Sequence, residues 1–166
     1  MIILGIDPGI ERVGWGVISS NGNALSYCAS GCITTPRTLS TQERIALIAE
    51  DLEKIIRSTR PNEAVVERLF FAKNRKTALS VSEARGAIML VLKKLDIPTR
   101  EYTPLEVKKA LTGNGHAEKR QVAWMVKKIL KVPDSVRSDD AFDALALCFL
   151  GGVKLSTTPP CPPALQ

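Results

Sequence analysis

Four carboxylates stand where the surrounding residues make a carboxylate expensive. Asp7 follows the apolar run 2–6 and precedes Pro8-Gly9, so it lies at a strand end where the chain turns. Asp-Pro-Gly is also good turn chemistry, which gives Asp7 an ordinary explanation. Glu67 closes a second apolar run, 64–66, where a solvated acid would be unremarkable. Asp140 and Asp143 are the sharper pair. Their segment reads Asp-Ala-Phe-Asp-Ala-Leu-Ala-Leu-Cys-Phe-Leu and, apart from the acids, is apolar on every side of a helix. The helix dipole accounts for Asp139 and Asp140 in a first turn. Asp143 lies one turn deeper and shares a face with Asp140 at i, i+3. A buried charge there needs a partner or loses its charge.

Hard divalent cations supply that partner. Magnesium prefers carboxylate oxygens and retains waters and substrate phosphate oxygens. Two such ions about 4 Å apart can activate an attacking water and stabilise a leaving alkoxide in phosphodiester hydrolysis. Four acids from two strand ends and one helix suit such a centre, against the alternative of four unrelated surface acids.

The charge distribution favours a polyanionic partner. Lys and Arg number 23 against 17 Asp and Glu, a net charge of +6 and a pI of about 9.3. Arg68, Lys73, Arg75 and Lys76 fall within nine residues that contain no acid, and residues 100–137 hold nine basic and four acidic side chains. Two such stretches fit a surface for nucleic acid, where either alone could be a solvated face. Cysteine chemistry is thin. Cys28 and Cys32 are the one close pair among four, the single His116 is remote from them, and a zinc site lacks two ligands. The four thiols and the absence of a basic, cleavable leader are expected of a reducing, cytoplasmic compartment. No run approaches the roughly 20 apolar residues of a membrane span.

A chain of 166 residues predicts one domain with its own core. Apolar runs at 1–6, 13–18 and 25–35 predict three strands, the last two joined at Ser20-Asn21-Gly22-Asn23, where Asn-Gly signals a hairpin. Residues 39–57 predict an amphipathic helix with Ile45, Ile48, Leu52, Ile55 and Ile56 on its stripe and Ser40 or Thr41 at its start. A short strand at 64–66, a long helix at 77–95 and a strand at 99–103 follow. Pro104 opens a short helix reaching residue 111, a loop covers 112–115, and a basic amphipathic helix covers 117–130. The last helix, 139–150, is expected to stop at Gly151-Gly152. Residues 1–152 are then the folded domain, and 153–166, with four prolines after residue 155, a disordered tail. This order describes an α/β fold with a mixed five-stranded sheet flanked by helices; it is the order a ribonuclease H-like fold would give, and other α/β orders fit it too.

The sequence resembles the RuvC-type Holliday junction resolvases from residue 1 to about residue 151. The resemblance lies in Gly-Ile-Asp-Pro-Gly at 5–9 with Gly14 and Gly16, Val-Glu-Arg-Leu-Phe-Phe-Ala-Lys-Asn at 66–74, and Glu-Ala-Arg-Gly at 83–86. It continues with Val-Lys-Lys-Ala at 107–110, Gly-Asn-Gly-His-Ala-Glu-Lys at 113–119 and Asp-Ala-Phe-Asp-Ala-Leu-Ala at 140–146. It implies that Asp7, Glu67, Asp140 and Asp143 are catalytic metal ligands. Asp139 is a second candidate for one position, and the pattern and spacing select Asp140. By the same resemblance Phe70 stacks near the junction point, with Phe71 doubling the aromatic beside it, and Lys108 and Lys119 approach the cleaved strand. Lys73, Arg75, Lys76 and Arg120 complete the expected DNA contacts. Also implied are Mg2+, two ions per subunit with Mn2+ able to substitute, a homodimer, four-way junction DNA nicked symmetrically on two opposed strands, and a branch-migration motor as partner. Two other functions compete with this one. A sugar-kinase-like ATPase needs a second Asp-x-Gly and about twice the length, and neither is present. A relative that binds nucleic acid without cutting it would be expected to have lost one or more of the four acids.

Overall fold

The computed structural model describes residues 1–22, 24–68 and 75–157, with backbone alone at 75–77 and 154–157. The strands are β1 (Ile2–Asp7), β2 (Arg12–Asn21), β3 (Ala24–Thr34), β4 (Glu63–Glu67) and β5 (Thr99–Tyr102). The helices are α1 (Thr41–Thr59), α2 (Arg75–Lys94), α3 (Pro104–Thr112), α4 (Lys119–Leu130) and α5 (Asp139–Thr157). They form the mixed five-stranded sheet that the sequence predicts, in the order β3-β2-β1-β4-β5, with β1 antiparallel to β2 and parallel to β4. The predicted hairpin is present: Asn21 pairs with Ala24, and Gly22 takes a left-handed φ of 60°. Ser40, not Thr41, caps α1, in a capping box with Glu43.

Strand alternation divides the interior into two layers. Leu4, Ile6, Val13, Val17 and Val66 face α1 and α2, where Ile48, Leu52, Ile56, Ala84, Ile88 and Leu92 cover them. Ile3, Ile18 and Val65 face the other way, into a cluster with α3, α4 and α5. By the same period of two, Gly5 and Asp7 on β1 and Glu67 on β4 belong to the α5 side.

Glycine sets how closely α5 approaches the sheet. A Cβ on Gly5 would collide with the carbonyl of Ala144, and one on Gly14 with the carbonyl of Asp140. Gly5 pairs across the strands with Gly16, and Asp7 with Gly14, so these small residues make one trough along β1 and β2. The helix lies in that trough.

One expectation fails here. Gly151-Gly152 does not end the last helix, which runs on to Thr157. A Cβ on Gly151 would sit 2.6 Å from Val65 Cγ2, and one on Gly152 2.7 Å from Leu25 Cδ2. The pair serves close packing against the sheet rather than helix termination. The predicted tail lies largely outside the described residues. Among the described residues no helix is long and apolar enough to cross a membrane.

Candidate active site

Asp7 and Glu67 arrive at one place because β1 and β4 are parallel neighbours. Ile6 is in register with Val66, so both strands end in their acids side by side, and the two carboxyl groups hydrogen-bond each other. The order of connection reverses at β1, with β2 on one side and β4 on the other. The carboxyl ends of strands at such a point form the usual ligand crevice of an open α/β sheet. A cleft of about 310 Å³ opens there, lined by Asp7, Glu67 and Asp143, by Lys108 and Lys119, and by an apolar wall including Val107 and Val122.

Helix α5 brings the other two acids, and the trough carries its first turns over the end of β1. Asp143 enters the cleft, where its Oδ2 accepts from Lys119 Nζ at 2.8 Å. Asp140 lies against β2, where Arg12 Nε donates to its Oδ2 at 2.5 Å and Cys32 Sγ lies 3.8 Å away. Asp140 is half-buried and Asp139 exposed.

The acids act on one another. Burial, then the charges of Glu67 and Asp143, push the Asp7 carboxyl up to about 8, with Asp140 adding to the rise. Glu67 is raised as well, chiefly by burial, although its hydrogen bond with Asp7 and the charge of Lys119 pull it back. Lys119 is held more firmly protonated, first by its hydrogen bond to Asp143. Carboxyl groups crowded in low dielectric resist ionisation until a cation joins them. Two protein cations do part of that work. Among the described residues no three acid, histidine or cysteine side chains are already arranged to hold a metal ion, and Arg12 and Lys119 each hold one of the four carboxylates. The donors are all carboxylate oxygens, which suits a hard divalent ion.

The structure therefore gathers Asp7, Glu67, Asp143, Lys108 and Lys119 in one cleft, with Asp140 flanking it. Arg120 is exposed on α4 and lines a neighbouring cavity. Phe70, Phe71 and Lys73 lie outside the described residues, as do the side chains of Arg75 and Lys76 at the start of α2. Arg12 was not among the residues expected at the site. It sits 128 positions from Asp140, and no local spacing announces the pair.

The family model for the crossover junction endodeoxyribonuclease RuvC matches residues 3–150. A protein of Thermosipho melanesiensis named crossover junction endodeoxyribonuclease RuvC is 44% identical over 149 residues, covering 90% of this chain and 95% of its own. One of the same name from Petrotoga mobilis is 45% identical over 152 residues, covering 92% and 93%. In structure the chain is similar to Thermus thermophilus RuvC in complex with a Holliday junction substrate, with a TM-score of 0.88 and 31% identity, covering 95% of this chain and 96% of that one.

Proposed function

Because the chain belongs to the RuvC family of crossover junction endodeoxyribonucleases, with its ribonuclease H-like fold, we propose that it resolves four-way DNA junctions by nicking two opposed strands with the acids of this cleft. The observation that carries the assignment of the site is the meeting of Asp7, Glu67 and Asp143 with Lys108 and Lys119 at the carboxyl ends of β1 and β4.

Asp7, Glu67, Asp140 and Asp143 would hold Mg2+, two ions per subunit, and Mn2+ would serve in its place. When bound, the ions supply the Lewis acidity of phosphodiester hydrolysis. The chain's own groups do the rest. Asp7 would give up the proton that burial and the neighbouring carboxylates retain on it. A cation on those carboxylates would release Lys119 from Asp143 and Arg12 from Asp140. Lys108 and the released Lys119 would face the scissile phosphate from the cleft wall and hold it for in-line attack.

A four-way junction has approximate two-fold symmetry, and a C2 dimer presents one cleft to each of two opposed strands. Support for a dimer comes from the α1–α2 face. A groove of about 690 Å³ lies there, lined by Ala46, Ala49, Ala87 and Leu90 among others, and Leu90 is 55% exposed. A branch-migration motor would hand over the junction.

Incubation of end-labelled four-way junction, fork and linear duplex with the protein, with and without Mg2+, tests the reading. Paired nicks in the junction alone, and with metal alone, are expected. Cleavage of duplex at the same rate would overturn it. So would junction binding with no nick at any metal concentration, the behaviour of a binding protein of the same fold.

A further inference from the structure

Outside the cleft, one face of α4 is unlike the rest of the surface. Arg120, Trp124 and Lys128 recur at i, i+4 and i+8 and so make one row along the helix. All three are exposed, and Trp124 is 59% exposed. The buried face of α4 is already filled by Val122, Val126 and Leu130, so the core makes no use of the indole. Among the described residues neither Arg120 nor Lys128 forms an ion pair, whereas Lys127 next to them is bound to Asp134 at 2.5 Å. Beside the ring lies a cavity of about 670 Å³, shared by Trp124 and Arg120 with Leu111, Asn114 and Met125. Glu118 lines the same cavity, but it is one acid against two unpaired cations that flank the ring.

An aromatic face between two unpaired cations fits single-stranded nucleic acid better than any other common ligand. The ring stacks a base of any sequence, and the cations take the phosphates on either side. The row also begins next to the cleft: Lys119 reaches Asp143, and Arg120 is the following residue. At 1.5 Å per residue, Trp124 lies about 7.5 Å along the helix from Lys119, roughly two base steps of 3.4 Å. We infer that Arg120, Trp124 and Lys128 form a second DNA subsite, in which a base unstacked near the branch point lies on the Trp124 indole while the two cations hold its flanking phosphates. This deepens the junction-endonuclease reading and rests on it.

The chain has two tryptophans, Trp15 and Trp124, so fluorescence reads the subsite directly. The full-length Asp7→Asn protein, silenced for cleavage, is titrated with four-way junction DNA while tryptophan emission is followed. The same titration on Asp7→Asn carrying Trp124→Phe isolates the contribution of Trp124. Junction DNA is expected to quench emission, most of the quench is lost with Trp124→Phe, and linear duplex of the same sequence quenches less. In gel shifts Trp124→Ala should raise the Kd for the junction about tenfold and Trp124→Phe distinctly less. Arg120→Gln and Lys128→Gln should each reduce the salt dependence of binding by about one released counterion. Trp124 is a surface residue, so an unchanged thermal melt for each variant separates lost contact from lost fold. Junction preference that survives intact in Trp124→Ala, with emission unmoved by DNA, would overturn the subsite alone and leave the row to a protein partner. Loss of any preference for junction over duplex in the Asp7→Asn protein would overturn the parent reading as well.

Discussion

In the metal-free site the Asp7 carboxyl, pushed up to about 8 from 3.8, keeps a proton that the unfolded chain has lost. Between those two values the native state binds more protons than the unfolded one. The contribution of Asp7 to stability is therefore complete below about 4 and is lost as pH rises through about 8. Thermal unfolding in chelator should show the midpoint falling across that window, and Asp7→Asn should flatten the fall. Glu67 is shifted in the same direction, so some slope should survive. Protons and metal compete for the same oxygens, so the Mg2+ needed for half-maximal nicking should rise as pH drops below neutrality. Replacing Lys119 by Gln removes the partner of Asp143 and should cut the nicking rate about a hundredfold at saturating junction, with a much smaller loss of binding. Equal losses in both would place Lys119 among ordinary phosphate contacts. Of the acids only Asp143 stood out by context alone, as a charge a turn inside an apolar helix; Asp7, Glu67 and Asp140 each had an ordinary local explanation, and the family resemblance is what grouped the four. Arg12 was not legible, since only the tertiary approach of α5 to β2 makes it the partner of Asp140.

At the scale of elements, the site depends on how deeply α5 sits in the glycine trough. Gly14 opposes Asp7 on β1 and lies under the carbonyl of Asp140, so Gly14→Ala must lift the first turn of α5 or bend β2. Overpacking of this kind costs about 1–3 kcal/mol. The displacement of Asp140 and Asp143 should lower the nicking rate about a hundredfold in protein that is still folded. Paired thermal melts and nicking assays check this, and a Gly14→Ala protein with wild-type activity would show that the close approach is dispensable. Periodicity placed every strand and helix to within a few residues except at the end of α5, because strand alternation and the helical stripe report burial directly. It could not tell a glycine that ends a helix from one that lets a helix touch a sheet. Gly151-Gly152 in α5 is that case: Val65 and Leu25 are distant in sequence, and only their packing against the pair gives it its role.

For the whole molecule, the question is how one cleft per chain cuts two strands. The apolar side chains of α2 fall into two groups. Ala84, Ile88 and Leu92 are spent on the core of the same chain, and Met89 packs against it, whereas Leu79 and Leu90 stay 69% and 55% exposed. The exposed remainder, with Ala87 in the α1–α2 groove, is the surface proposed for the dimer. Ala87→Glu would bury an unpaired charge in both subunits and should disfavour association by several kcal/mol. Sedimentation should show a monomer, and cleavage should change from paired to single nicks. A wild-type monomer at micromolar concentration that still makes coordinated paired nicks would refute the dimer. Beneath all of this stands the claim that four carboxylates, met by divalent metal, perform the cut. Nicking of one labelled four-way junction in saturating Mg2+ by wild type and by Asp7→Asn, Glu67→Gln, Asp140→Asn and Asp143→Asn, with binding followed on the same DNA, tests that claim most directly. Each substitution should lower the rate at least about a hundredfold while junction binding stays near wild type. Near wild-type nicking by any one of the four would contradict the account.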